Sequence, residues 1–395
     1  MAASIKASMP HAYRSLHRAS LSRSSQIFVL RRQVSSSALR FRALSRMYER
    51  ELEIARLAVQ RASLVTKKIK PLLQQDDEVN KADDTPVTIA DLTAQALVIG
   101  AIHHEFPHDT FLAEESAQIL REDDGLADRV WSFASSSSKF CGSHINDRLW
   151  SPSSKEEMLD VIDLGKGSGG PKGRFWILDP IDGTMTYMKN QQYAVCLCLV
   201  EDGVKQVAVQ GCPNLSLDRL PMHEDSVDLE KGGHVVSAVH NGGAYIQALS
   251  ETPMEEPRRL PQKNDKSNIT DLLNIVSHLS SSMDHKKVEA ICNKIGIGYP
   301  GVDIWAQQMK YMAMAVGGHD VMIRIPGYQS HRTAAWDHAS GQLICEEIGI
   351  VMTDVYGKKH DFSQGRRLYA NFGDVAAPAA HHPQILKAVQ EAMAS

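Results

Sequence analysis

Hydrophobic spacing divides most of the chain into helix-like and strand-like stretches. Ala55, Ala58, Ala62, Val65 and Ile69 recur at three- and four-residue intervals, which predicts a helix from Tyr48 that Pro71 ends. A second helix is expected from Asp91, with Leu92, Ala96, Leu97 and Ile99 among its apolar positions. Asp91 then sits in its first turn, where the helix dipole favours a negative charge. Phe111-Leu112-Ala113 reads as a strand ending at Glu114-Glu115. Phe175-Trp176-Ile177-Leu178 reads as a buried strand, and Asp179-Pro180 should stop it because proline has no N–H for the ladder. Residues 193–200 and 205–210 are strand-like and joined through Asp202-Gly203; 234–239 and 245–249 flank Asn241-Gly242-Gly243. Both junctions signal hairpins. Helices are expected near 285–295, 303–316, 338–348 and 383–393, and strands near 320–325 and 350–354. Residues 121–172 show no clear pattern, and 250–268 read as an exposed connection. Antiparallel hairpins thus come first and α/β alternation later.

Composition changes this picture only at the N-terminus. The 395 residues are 43% hydrophobic and 23% charged, with net charge −4, enough for two domains or for a single large domain of two halves. Nothing in that balance suggests a nucleic-acid polymer as partner, and no apolar run approaches the length of a membrane span. Cys141, Cys196, Cys198, Cys212, Cys292 and Cys345 show no zinc spacing; they read as reduced core thiols in a reducing compartment. Gly165, Gly167 and Gly170 match G-x-G-x-x-G, but no strand precedes them, so no dinucleotide site is expected. Residues 1–47 carry Lys6, Arg14, Arg18, Arg23, Arg31, Arg32, Arg40, Arg42 and Arg46, and the first acid is Glu49. An Arg- and Ser-rich, acid-free start has the composition of a mitochondrial transit peptide; the alternative is a basic tail on a cytoplasmic enzyme.

Candidate chemistry centres on Asp179-Pro180-Ile181-Asp182-Gly183-Thr184. Two carboxylates stand three residues apart near the C-terminal end of a strand, where α/β sheets place ligands. Acids this close repel unless a cation holds them, and hard oxygen ligands suit Mg²⁺. Gly183 permits a close backbone approach, and Thr184 adds a hydroxyl. Taken alone, the motif also reads as an Asx-rich turn.

Thr85-Pro86-Val87-Thr88-Ile89-Ala90-Asp91, Ala113-Glu114-Glu115-Ser116, the Asp179 motif and Ala335-Trp336-Asp337-His338-Ala339 occur in this order. Together they resemble the lithium-sensitive, Mg²⁺-dependent phosphatase superfamily of inositol monophosphatase. Ser63-Leu64-Val65-Thr66-Lys67-Lys68, Gln192-Tyr193-Ala194-Val195-Cys196-Leu197, Gly211-Cys212-Pro213-Asn214-Leu215 and Thr353-Asp354…Asp361-Phe362 are similar to its 3'(2'),5'-bisphosphate nucleotidases. The likeness runs from about Tyr48 to about Val389.

The resemblance implies an α+β to α/β chain folded as a layered αβαβα sandwich of the inositol monophosphatase and fructose-1,6-bisphosphatase type. Residues 48–268 would form an α+β half with the metal motifs. Residues 269–395 would form an α/β half completing the metal site and the substrate pocket. It implies a phosphomonoesterase removing the 3'(2')-phosphate of adenosine 3',5'-bisphosphate, and of the related 3'-phosphoadenylyl sulfate, in sulfur metabolism. The alternatives are an inositol phosphate or another small bisphosphate as substrate, or a non-catalytic nucleotide sensor. Glu114, Asp179 and the Ile181 carbonyl are implied ligands of one Mg²⁺; Asp179, Asp182 and Asp337 of a second; a third would lie near Asp91 and Glu114. Asp91 and Thr184 would orient and activate water, and the Gly183 and Thr184 N–H groups would cradle phosphate. Glu115 is left between orienting the site and facing solvent, His338 is expected to be structural and Trp336 to pack in the core.

His285, Lys310 and Arg324 stand where these nucleotidases approach the nucleotide, with Gln307 and Asp337 in the same pocket. Here the sequence departs from the family. Gln307 replaces a serine and Ala306 an aspartate. Ser282-Met283-Asp284-His285 replaces His-Ser-Ser-His, Met185-Thr186-Tyr187-Met188-Lys189 replaces Lys-Gly-Phe-Leu-Arg, and Ala334 replaces a lysine. The expected partner is a small phosphate ester; the sequence says nothing of oligomeric state.

The N-terminal composition generates a direct test. Residues 1–47 fused to a fluorescent reporter should carry it into mitochondria, and the remainder should stay in the cytosol; a diffuse reporter would return the chain to the cytoplasm.

Overall fold

Alternation along each strand decides which side chains face which layer, and the observed elements follow from it. The computed structural model describes residues 47–73, 78–80, 86–263, 266–277 and 280–394. The stretch read as a transit peptide, and Thr85 of the first motif, lie outside the described residues, apart from Met47.

The expected first helix is α1, Glu49–Ile69. Two short strands, β1 (Glu78–Asn80) and β2 (Pro86–Thr88), pair antiparallel and lead into α2 (Ile89–Glu105). This helix starts two residues before Asp91 because Thr88 caps it. The Thr88 hydroxyl accepts from the Ala90 N–H, and the Asp91 carboxylate accepts from the Thr88 N–H, closing a capping box. Strand β3 is Thr110–Ala113. The unpatterned region holds α3 (Asp124–Ser135) and α4 (Lys155–Asp163), whose N-caps are Asp123 and Ser154.

Strand β4 is Arg174–Asp182, so it does not stop at Asp179 as the proline suggested. Asp179 pairs with Cys196 and Asp182 with Ala194, which leaves one extra residue on β4. That bulge sits at Pro180 and absorbs its missing N–H. Helix α5 (Thr184–Met188) follows at once. The expected hairpins are β5 (Ala194–Glu201) with β6 (Val204–Cys212), and β7 (His234–Val239) with β8 (Gly243–Ala248). Asp202 (φ +49°) and Gly203 (φ +78°) turn the first in the left-handed conformation that such two-residue loops need. Strand β9 (Arg258–Arg259) lies in the stretch read as an exposed connection and pairs with β8.

The later chain is β10 (Asn274–Val276), α6 (His285–Ile295), β11 (Val302–Asp303), α7 (Gln307–Ala315) and β12 (Val321–Arg324). It continues with α8 (Ala339–Glu346), β13 (Ile350–Thr353), β14 (Asp374–Pro378) and α9 (His382–Ala394). Strands β10, β11 and β14 carry no sequence signal: the first two are very short, and β14 (Asp-Val-Ala-Ala-Pro) is poor in β-formers.

Strands β3 to β9 form a seven-stranded sheet in chain order, with β3 parallel to β4 and the rest antiparallel. The second sheet has the order β11-β10-β12-β14-β13. Both lie within the compact unit Leu44–Ser395. On β4, Trp176 and Leu178 face α1 and α2, while Phe175 and Ile177 face a core shared with α7, α8 and the second sheet. On the second sheet, Met322 and Ala376 join that inner core, while Val321, Ile323, Val375 and Ala377 face α6 and α9. The result is the αβαβα sandwich, with α7 and α8 as the middle layer. All six cysteines are free and buried, and Cys196 and Cys198 sit side by side in the inner core.

Gly341 lets α7 and α8 approach. A Cβ there would lie 2.3 Å from the Tyr311 ring and 2.5 Å from Gln308 Oε1. Gly341→Ala should therefore destabilise by about 1–3 kcal/mol, as overpacking does, measured by denaturant unfolding; an unchanged midpoint would mean the two helices part freely.

Candidate active site

The parallel pairing of β3 and β4 builds the first half of the site. Ala113 lies beside Leu178, so the next residues, Glu114 and Asp179, stand side by side where β3 ends, while β4 runs on to Asp182. The Glu114 N–H donates to the Leu178 carbonyl at 3.3 Å. Arg366 holds the same turn from outside: its guanidinium donates to the Glu114 and Gly165 carbonyls and lies 4.6 Å over the Trp336 ring. Glu115 is buried and outside the cavity wall; its backbone is bonded in both directions to the Gln95 amide of α2.

Asp182 closes the other side. Helix α7 has Ala306 at its N-cap, a residue with no capping oxygen. Asp182 supplies one from β4: its oxygens accept from the Gln307 N–H (3.2 Å) and the Gln308 N–H (2.7 Å). Gly183 makes this approach feasible. Its φ is +90°, and a Cβ on it would lie 2.8 Å from Ala306 Cβ and 2.5 Å from Thr186 Oγ1. Gln308, fully buried, then ties α7 to the third acidic motif: it donates to the Trp336 carbonyl at 2.6 Å and accepts from the Gly341 N–H at 2.9 Å.

Asp337 is oriented by a directed chain. The Tyr311 hydroxyl bonds His338 Nδ1 (2.6 Å), His338 Nε2 bonds Thr333 Oγ1 (2.7 Å), and Thr333 Oγ1 donates to Asp337 Oδ2 (3.3 Å). One proton order satisfies all three: Tyr311 gives to Nδ1, Nε2–H gives to Thr333, and Thr333 gives to Asp337. It requires a neutral His338, and burial pushes that imidazole down to about 3. Trp336, beside it, is a core residue.

Asp91 is buried at the third position of α2. Its Oδ2 accepts from the Thr88 N–H and hydroxyl, and its Oδ1 accepts from Thr184 Oγ1 at 3.2 Å. The Thr184 hydroxyl also lies 3.4 Å from the Ile181 carbonyl. Glu114, Asp179, Ile181, Asp182, Thr184 and Asp337 share one cavity of about 350 Å³.

Burying these acids together strains their ionisation. Asp179 is raised well above the carboxylate range by burial, then by Glu114, Asp182, Asp337 and Asp91. Asp182 is pushed up to about 7 by burial and then Asp337, and Asp337 to about 6 by burial and then Glu114. Among the described residues, Asp179 Oδ1 is buried with no hydrogen-bond partner. No three His, Cys, Asp or Glu side chains among them are gathered tightly enough to hold an ion as they stand. The donors are nevertheless all oxygen: Asp179 and Asp182 are buried carboxylates, Glu114 and Asp337 are half-buried ones and Ile181 offers a carbonyl, and one oxygen of Asp179 is orphaned, which fits a hard divalent cation.

The same cavity wall also carries the opposite charge. Lys310 and Arg324 line it with Gln307 and the exposed Trp305. Lys310 Nζ donates to the Trp305 carbonyl (3.0 Å) and to Gln307 Oε1 (3.2 Å). Burial, then Arg324, push Lys310 down to about 8, so it keeps its charge at neutral pH. His285 is placed differently from Lys310 and Arg324. It is the first residue of α6 and is not among the lining residues; Nε2 bonds the Ser280 carbonyl (2.7 Å) and Nδ1 lies 3.2 Å from the Tyr299 hydroxyl. Its link to the cavity runs through Ser280, which does line it.

Residues 136–394 match the model of the inositol monophosphatase family. The chain belongs to that family. A 3'(2'),5'-bisphosphate nucleotidase of Emericella nidulans is 39% identical over 355 residues, 88% of this chain and 99% of the relative. A protein of the same name from Schizosaccharomyces pombe is 34% identical over 86% of this chain and 95% of its own. Among solved structures, an IMPase of Thermotoga maritima superposes with a TM-score of 0.54 at 16% identity, over 87% of this chain and 98% of its own. The suhB protein of Bartonella henselae does so at 0.52 and 15%, over 86% and 98%. These two carry the fold alone.

The family motifs supply the acids, but sequence reading missed what holds them. Gln308 stands one residue after Gln307, and Thr333 four before Asp337, so local spacing could have found both. Arg366 acts on Glu114 across 252 residues of chain and left no signal.

The raised carboxylates make stability depend on pH with a definite sign. A carboxylate whose folded value lies above its unfolded one stabilises the fold while protonated and loses that contribution as pH rises through the folded value. In chelator, Asp182→Asn should therefore gain on the parent chain between pH 6 and pH 8, by roughly 1 kcal/mol, and added Mg²⁺ should reverse the order. Thermal unfolding of both chains at the two pH values checks this; no gain would mean that Asp182 is not charged at a cost.

Proposed function

We propose that the chain is a Mg²⁺-dependent phosphomonoesterase that hydrolyses the 3'(2')-phosphate of adenosine 3',5'-bisphosphate, giving AMP and phosphate. The observation that carries this reading is one cavity lined both by the carboxylates Glu114, Asp179, Asp182 and Asp337 and by the cations Lys310 and Arg324. Such a site takes a cation together with an ester bearing a second anionic group. Names carried by the curated relatives support the nucleotide: the Emericella and Schizosaccharomyces proteins are bisphosphate nucleotidases matched over nearly their whole length. The basic N-terminus supports a mitochondrial location for the enzyme, with sulfur metabolism as its setting.

Glu114, Asp179, the Ile181 carbonyl, Asp182 and Asp337 would hold the metal, two to three ions per site. Bound Mg²⁺ supplies charge neutralisation of the phosphoryl group and a lowered pKa for water. The chain's own residues do the rest. Thr184 donates to Asp91 Oδ1, and Asp91 Oδ2 is already committed to Thr88, so Oδ1 is the oxygen that accepts a proton handed over through the Thr184 hydroxyl. Gly183, in its left-handed conformation, turns the chain so that the Gly183 and Thr184 N–H groups can meet phosphate. Lys310 and Arg324 bind the phosphate that is not cleaved. A second reading, an inositol phosphate or another small bisphosphate as substrate, rests on Ala306 and Gln307, where the pocket departs from the nucleotidases.

Asp179→Asn should lower kcat by at least a hundredfold at any Mg²⁺ concentration while leaving the fold intact, since it removes one of the repelling charges; near-normal phosphate release would sink the assignment of the acids. Lys310→Ala should raise KM for adenosine 3',5'-bisphosphate far more than it lowers kcat, because a contact remote from the reacting phosphate is largely uniform binding. The loss should be about 1–3 kcal/mol, as for a hydrogen bond to a charged group. A monophosphate substrate should barely notice the change. Equal weakening of both substrates would place Lys310 in support of the fold or the acids instead.

A further inference from the structure

Among the described residues, Trp305 is the one large aromatic side chain of the cavity wall, and it is 40% exposed while Trp176 and Trp336 are buried. Its backbone is held on both sides. The Trp305 N–H donates to Glu224 Oε2 at 2.9 Å, and its carbonyl accepts from Lys310 Nζ at 3.0 Å. Glu224, itself 9% exposed, accepts from the Gln192 N–H with its other oxygen at 3.1 Å. One carboxylate thus staples the turn before α7 to the segment before β5. The indole is presented at a fixed place but is not packed away. Leaving such an apolar face in water forfeits the burial it would gain in the core. A ligand that covers it recovers that gain.

The neighbours of the indole define the ligand. Lys310 and Arg324 share the cavity and take an anion; Met185 and Met283 share it too and offer soft apolar contact. A flat aromatic ring joined to a phosphate matches this set, whereas a polyhydroxylated ring has no π-face to stack. We propose that Trp305 is the face on which the purine ring of the substrate stacks, and that Glu224 is the positioning residue that fixes it. This rests on the reading that the substrate is a nucleotide bisphosphate.

Two measurements test it. The first uses the intact chain and AMP, which has a base and a 5'-phosphate but no 3'-phosphate to cleave. AMP should quench tryptophan fluorescence, ribose 5-phosphate should not, and Trp305→Phe should abolish the quench. The second is kinetic. Trp305→Ala should raise KM for adenosine 3',5'-bisphosphate roughly five- to hundredfold, the range seen when a base-stacking side chain is truncated, with kcat falling much less. Trp305→Phe should keep most of the affinity. Glu224→Ala should follow Trp305→Ala, and Glu224→Gln, which retains one acceptor, should recover some of the loss. The ratio of KM for the nucleotide to KM for a base-free bisphosphate is the decisive readout. Equal quenching by AMP and ribose 5-phosphate, or an unchanged KM ratio in Trp305→Ala, would overturn the proposal. A parent chain that quenches with AMP yet fails to hydrolyse adenosine 3',5'-bisphosphate would overturn the proposed reaction and leave the stacking face standing.

Discussion

Burying like charges is the constraint that the rest of this structure serves. Asp179 and Asp182 are buried around one cavity with the half-buried Glu114 and Asp337, Asp91 is buried against the lining residue Thr184, and a buried carboxylate is costly unless it is paired or hydrogen-bonded. The fold meets that cost separately for each. Asp91 is held in a capping box, Asp182 by the first N–H groups of α7, and Asp337 by Thr333. Asp179 is the exception: it stands among the other acids with one oxygen unsatisfied among the described residues. The geometry is most committed, and least comfortable, at the residue the metal reading places at the centre.

The layers deliver these acids to one place. Parallel β3 and β4 bring Glu114 beside Asp179, and the bulge at Pro180 carries Asp182 on to α7. Gln308 joins α7 to the Trp336-Asp337 turn, and Gly341 lets α8 lie close enough for that link. The middle helical layer therefore belongs to the site as well as to the core. Gln307 and Lys310 of this layer, and Trp305 in the turn before it, line the same cavity. Replacements among these three can alter selectivity while leaving the acids where they are.

Much of this was legible in the sequence, for identifiable reasons. Continuous apolar runs such as Phe175 to Leu178 and the glycine turns at Gly203 and Gly243 encode their structure locally, and those elements lie where the pattern put them. Asp91 was legible as a first-turn acid because the apolar spacing from Leu92 to Ile99 starts beside it, although Thr88, the residue that caps the helix, was not read. Pro180 misled, since a proline can be taken up by a bulge as well as by a strand end, and only the partner strand decides which. Strand β14 was silent because its alanines sit between two neighbouring strands and need little bulk. His285 was read by position in a motif, but its ring is turned to Ser280 and Tyr299 by contacts that no local pattern announces. Arg366 and Glu224 act through long-range backbone contacts, which a single sequence does not show.

The central claim is that these acids are a metal centre, and counting ions tests it most directly. Mn²⁺ is a spectroscopically visible substitute for Mg²⁺. Titrating it into the intact chain, with free ion followed by electron paramagnetic resonance, should reveal at least two bound ions per chain in the presence of inorganic phosphate. Asp337→Asn should remove at least one of them. A parent chain that binds no Mn²⁺ at millimolar concentration, or binds it undiminished after Asp337→Asn, would contradict the account.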